Sequence, residues 1–152
     1  MQDYRKLRVW QKAHRLTLDT YAVFARFTAP LTWPLRDQLL RAIISVRSNI
    51  AEGAGRGSDP DFHRFLLHSL GSLNEVEYDF LLARDLGFLE PADHRRLSSQ
   101  LEEVRRMLSG LMAELRPADP NSARRRAGSG QPTTKAGSGK LIAGMERQEA
   151  ES

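Results

Sequence analysis

Apolar residues recur along most of this chain at steps of three and four. That spacing gathers them on one side of an α-helix, and no stretch sustains the alternation of a strand. Four segments carry it. In the first, Leu7, Trp10, His14, Thr17, Tyr21 and Phe24 align, and the helix ends near Ala29-Pro30 in the loop APLTWP. Pro34 suits the first turn of a second helix capped by Thr32 or Trp33. It runs to about Glu52, with Leu35, Leu39, Ala42, Ile43, Val46 and Ile50 on one face. A third helix follows a glycine stretch, aligns Phe62, Phe65, Leu66, Leu73, Val76 and Phe80, and breaks at about Gly87 in LGFLEP. In the fourth, Leu97, Leu101, Val104, Leu108, Leu111 and Leu115 form a coiled-coil seam stopped by Pro117. Four amphipathic helices with short connections predict an all-α fold, an antiparallel up-down four-helix bundle over residues 1–116.

The pattern stops at Pro117. Residues 117–152 hold three prolines, five glycines and two copies of AGSG, with little to bury. They are predicted to form a disordered basic tail, its triplet Arg124-Arg125-Arg126 solvated. A length of 152 residues fits one domain with one core. Cysteine is absent, which excludes disulfides and thiolate metal sites. No apolar run is long enough to span a bilayer, and MQDYRKLRVWQKAH lacks the apolar stretch of a signal peptide, so a cytoplasmic protein with no membrane contact is expected. The net charge of +4 divides evenly: residues 1–116 carry 17 Lys+Arg against 15 Asp+Glu, and the tail carries 6 against 4. A nearly balanced bundle makes the basic pI a weak argument for nucleic acid.

Candidate chemistry centres on NIAEGAGRGSDPDF at 49–62. Three glycines around an arginine resemble a phosphate cradle, but a dinucleotide fingerprint needs a strand before them, and here a helix precedes. Helix punctuation explains the stretch instead. Gly53 is expected to end the second helix in the left-handed conformation, and Ser58 or Asp59 to cap the third, with Pro60 in its first turn and Asp61 in a capping box. Asn49 and Glu52, on one side of the last turn, are read as a structural polar pair, with Arg41 or Arg56 compensating the carboxylate. The tail's TKAGSGKL is not a P-loop, because Thr134 and Leu141 stand where glycine and a hydroxyl residue are required. His63 and His68 are five apart, which is not a metal-ligand spacing on a helix. His14 reads as a core histidine. No catalytic residues, metal or cofactor are predicted.

Two surface features remain. Arg5, Arg8, Lys12 and Arg15 form a purely basic stripe nearly opposite the expected core of the first helix. They are the candidate nucleic-acid-binding residues, or else meet an acidic side of a neighbouring subunit such as Glu75 and Asp79. Leu40 and Ile44 on the second helix, with Leu67, Leu70 and Leu81 on the third, form second apolar stripes that predict an oligomer interface.

The segments LRVWQKAHRL at 7–16, LRDQLLRAIISVRSNIAEG at 35–53 and FLLHSLGSLNEVEYDFLLARDLGFL at 65–89 resemble the four-helix-bundle family encoded in 23S rRNA intervening sequences. That family is related to the accessory variability protein of diversity-generating retroelements. NIAEG and Gly71 to Glu75 are the most specific blocks, and the resemblance covers about residues 4–115. One departure is visible: Ser45-Val46-Arg47 stands where the family has Ser-Ile-Pro, so a straighter second helix is expected. The resemblance implies a ring-shaped homopentamer with a nucleic-acid role and no catalysis, and its retroelement relatives bind a reverse transcriptase. The expectation is therefore a non-enzymatic homo-oligomer that binds structured RNA or DNA through basic helix faces. The alternative is a protein-interaction scaffold or accessory subunit of a reverse transcriptase.

Overall fold

The computed structural model describes residues 2–116, so the tail at 117–152 lies outside the described residues. Four α-helices make up the bundle: α1 (Arg8–Phe24), α2 (Trp33–Ala54), α3 (Asp59–Asp85) and α4 (Pro91–Glu114). Short 3-10 turns at Tyr4–Lys6 and Pro30–Thr32 precede α1 and α2. Among the described residues there is no strand.

Local chemistry sets the boundaries. The carboxylate of Asp3 accepts the Arg5 amide at 3.1 Å, and extended Leu7 separates that first turn from α1. Ser58 caps α3 by accepting the Asp61 amide at 3.4 Å and donates to the Asp61 carboxylate at 3.3 Å. Asp61 thus meets the cap through its side chain, a variant of the expected capping box. The α3–α4 reversal turns on Gly87, whose φ of +79° only glycine adopts without strain. Phe88 and Leu89 both donate their amides to the Ala83 carbonyl there.

Each helix packs against two neighbours, α1 and α3 each touching both α2 and α4, and α2–α3 is the most extensive contact. Cross-helix pairs run in opposite directions: Lys12 and Asp19 of α1 meet Glu103 and Gln100 of α4, while Gln38 and Ser45 of α2 meet Asp79 and Ser72 of α3. The bundle is therefore antiparallel. Leu39, Ile43, Val46 and Ile50 of α2 face Leu66, Leu73, Val76 and Phe80 of α3 and Leu97, Leu101, Val104 and Leu108 of α4 in one core. Each such side chain contributes about 1.5–3 kcal/mol when fully buried. The seam of α4 loosens toward its end, where Leu111 and Leu115 are half-buried.

Two expectations are corrected. On α1 the buried residues are Val9, Ala13, Leu16, Thr17, Thr20, Val23 and Phe24, while Trp10 and His14 are half-buried and Tyr21 is exposed. At 3.6 residues per turn the core face is rotated by about 90° from the predicted one. This face mixes Leu16, Val23 and Phe24 with smaller residues, and the hydroxyls of Thr17 and Thr20 satisfy themselves on the Ala13 and Leu16 carbonyls at 2.8 and 2.7 Å. On α2, Gly53 is not a left-handed terminus. The helix continues to Ala54, and Gly55 follows with φ −81°. Gly53 serves packing: a Cβ there would lie 2.7 Å from Phe62 Cδ2 and 2.8 Å from Phe65 Cβ.

Gly53→Ala should therefore destabilise the fold despite alanine's better helix propensity. Displacing α3 costs about 1–3 kcal/mol, more than the ~1 kcal/mol that alanine returns. Gly110→Ala, where an added Cβ meets nothing within 4 Å, should stabilise by up to about 1 kcal/mol. Denaturant unfolding of both variants measures the contrast, and equal shifts would mean that the α2–α3 approach is less tight than described.

Candidate functional site

The basic stripe separates into two parts once folded. Arg5 belongs to the 3-10 turn, where its guanidinium pairs with Asp3 at 3.1 Å. That hydrogen bond holds the Asp3 carboxyl below its ordinary value. With the core of α1 rotated, Lys12 lies on the flank toward α4 and, though exposed, pairs with Glu103 at 3.1 Å. Arg15 pairs with Asp19 at 3.2 Å. Asp19 also accepts from Gln100 at 2.9 Å and lies 3.9 Å from Arg96. A cavity of about 350 Å³ between the two helices is lined by Lys12, Arg15, Asp19, Arg96, Gln100 and Glu103. Its cations are largely compensated in place. Exposed pairs of this kind each contribute at most about 1 kcal/mol, so the row fixes α1 against α4 more by number than by strength.

Arg8 differs. It is exposed at the start of α1 and has no ion-pair partner among the described residues, and the same holds for Lys6. Nearly opposite Arg8 around α1, an aromatic series descends from the surface. Tyr4 meets Trp10 edge-on at 4.9 Å, and Trp10 stacks on His14 at 5.0 Å with planes 7° apart. At the α2–α3 connection the guanidinium groups of Arg56 and Arg64 lie 4.7 and 5.0 Å from the Phe65 ring centroid. Sequence periodicity missed Tyr4 and Lys6 because it ran them into the first helix. Asp3, two residues before Arg5, was the available signal of a separate turn.

The second apolar stripes also divide. Leu40 is half-buried and packs against the core, so it is not a free outer stripe. Ile44 and Leu70 are half-buried. Leu67 and Leu81 are 48% and 40% exposed, and Tyr78, which periodicity did not single out, is 60% exposed between them. At 100° per residue these three share the side of α3 away from its core.

Asn49 and Glu52 do not pair with each other. Asn49 donates to the Ser45 carbonyl at 2.9 Å and the Ser45 hydroxyl at 3.0 Å, and Ser45 bonds Ser72 across to α3 at 2.8 Å. Glu52 takes Arg56 at 2.6 Å. Farther along that seam, Asp79 is fully buried, which removes it from the acidic face expected on α3. Its Oδ1 accepts a long 3.4 Å bond from Gln38, and its Oδ2 has no partner. Burial, with the Glu75 carboxylate adding to it, pushes its pKa up to about 6.

The model of the family described as 23S rRNA-intervening sequence protein matches residues 5–110 of this chain. No curated protein gives a significant match. The match spans NIAEG, the Gly71–Glu75 block and the three helices that carried the resemblance, and extends well into α4.

The raised pKa of Asp79 has a defined sign. The native state holds this proton more tightly than the unfolded chain, so stability from this group falls as pH rises from about 4 to about 6 and stays low above. Asp79→Asn should remove that fall. After allowance for an unpartnered amide N–H, it should gain about 1–2 kcal/mol at pH 7 and almost nothing at pH 4. Urea melts of both proteins at the two pH values measure the difference, and a variant less stable at pH 7 would show that Asp79 has a partner.

Proposed function

Because the chain belongs to the 23S rRNA-intervening sequence protein family, we propose that it is a non-enzymatic, homo-oligomeric bundle that binds structured RNA or DNA through its basic surface. The observation that carries this reading is the pair of uncompensated cations at the start of α1, Lys6 and Arg8. Arg5 extends the positive end, and Lys12 and Arg15 lend charge from behind their carboxylates. Phosphate contacts of this kind supply affinity without reading sequence.

A second reading rests on α3. A bundle of this size has no internal use for Leu67, Tyr78 and Leu81 at 40–60% exposure on one face. They suit contact with another protein surface, and self-association is the reading adopted, with an accessory role for a reverse transcriptase as the alternative partner. Glu75, exposed and without an ion-pair partner among the described residues, leaves one negative charge beside this face.

Arg8→Ala should weaken binding to RNA and make the dependence of log affinity on log salt shallower by about one unit. Lys12→Ala and Arg15→Ala should change the slope less, since each cation already has a carboxylate. Titrations at several salt concentrations test this, and a wild-type affinity indifferent to salt would rule out phosphate contacts.

Replacing Leu67 and Leu81 together by Glu should lower the mass measured by light scattering while leaving helix content intact. Leu40→Glu should instead cost several kcal/mol of stability, because it carries a charge against the core. A wild-type protein of monomer mass at micromolar concentration would remove the self-association reading.

A further inference from the structure

Residues 2–7 are held by several hydrogen bonds and an aromatic contact. The Gln2 amide donates to the Ala54 carbonyl at 3.3 Å, tying the segment to the end of α2. Asp3 caps the turn, and Gln11 donates its side-chain amide to the Arg5 carbonyl at 2.9 Å. Tyr4 is set against Trp10, itself stacked on His14, whose Nδ1 is buried without a partner. The result is a fixed aromatic ring, still 36% exposed, with the Arg5 guanidinium over it at 5.9 Å from the centroid.

This ring forms one wall of a cavity of about 470 Å³, whose lining is completed by Gln2, Asp3, Arg5, Ala51 and Gly55. The volume falls in the range of clefts that take small organic groups, roughly 300–1,000 Å³. Its chemistry is specific. One aromatic face and one small aliphatic residue supply an apolar floor, a guanidinium stands at the rim, and an amide and a carboxylate are placed to meet polar edges. The α1–α4 cavity, by comparison, is lined by charged side chains and Gln100, whereas here the charges are one pair, Asp3 with Arg5.

Resting on the nucleic-acid reading above, we propose that this cavity takes one unpaired nucleobase, stacked on Tyr4, while the Arg5 guanidinium at its rim meets a flanking phosphate. Every base has a π-face, so a ring of this kind gains affinity for single-stranded segments without demanding a sequence. A base inside a duplex is covered on both faces by its neighbours and cannot enter. Gln2 and Asp3 add a preference for bases that carry an exocyclic amino group, since a carboxylate accepts from such a donor. The nucleic acid of this family member is thus one with an unpaired loop, bulge or end next to structured backbone.

The test uses the full chain, a labelled adenylate dodecamer and a 12-base-pair RNA duplex. Tyr4→Leu should weaken binding of the dodecamer about tenfold and leave duplex binding unchanged. Tyr4→Phe, which keeps the ring, should restore dodecamer affinity. Arg8→Ala should weaken both ligands. Equal losses on both ligands in Tyr4→Leu, or no loss on either, would overturn the base-stacking assignment while leaving the phosphate contacts standing. Failure of the wild-type chain to bind either RNA would instead remove the nucleic-acid reading itself, and the pocket assignment with it. Circular dichroism of Tyr4→Leu separates lost stacking from lost folding, because that turn contributes no buried residue to the core.

Discussion

The close approach of α2 and α3 is the contact on which the rest of this bundle depends. It is made by what is absent. Gly53 lacks the Cβ that would strike two phenylalanines, and Ala42, Ser45, Ser69 and Ser72 keep the seam shallow along its length. Ser69 turns that closeness into a bond by donating from its buried hydroxyl to the Val46 carbonyl at 2.7 Å. Only two backbones already close can share such a hydrogen bond, and a buried, well-satisfied one contributes about 1 kcal/mol. With this pair fixed, α1 and α4 lie against it as a second layer, and both ends of the bundle acquire their shapes.

How much of this was legible in the chain depends on which residues do the burying. On α2 and α4 the inward positions are large aliphatics, so Leu39, Ile43 and Ile50, or Leu97 and Leu101, announce the face directly. On α1 the inward positions mix Leu16, Val23 and Phe24 with small or hydroxylated residues. Ala13 and Thr20 look unremarkable next to Trp10 and Tyr21, and periodicity follows the large rings to a face that shares only Thr17 and Phe24 with the buried one. A threonine that satisfies its own hydroxyl one turn back is, for packing, an apolar residue, and nothing in a single sequence marks which threonines do so.

The candidate surface was legible to the same degree and for a related reason. A stripe of like charge can be read from spacing, but its compensation by another helix cannot. Glu103 neutralises Lys12 only because α4 lies on that flank of α1, whereas Asp19 meets Arg15 one turn along the same helix, a pair that the spacing of four does announce. Asp79 shows the converse. Read as an outward acid one turn after Glu75, it is instead enclosed between α2 and α3, where its charge is costly. Glycine at 53 was noticed for its backbone freedom, whereas the fold uses its small volume.

The Ser69–Val46 and Ser45–Ser72 bonds and the Gly53 notch also have a mechanical meaning. They lie at successive levels along the α2–α3 pair, like teeth that engage at one setting. A slide by one helical turn, about 5.4 Å, would part both serine contacts and press Phe62 against a position that carries a side chain. Small sliding of packed helices is a common means of relaying signals through bundles, and this pair is closed to it. The charged contacts between α1 and α4 are different, because guanidinium and carboxylate groups can trade partners at little cost. A force applied to this molecule from outside would pass through α2 and α3 as through a rigid strut and be absorbed where α1 meets α4.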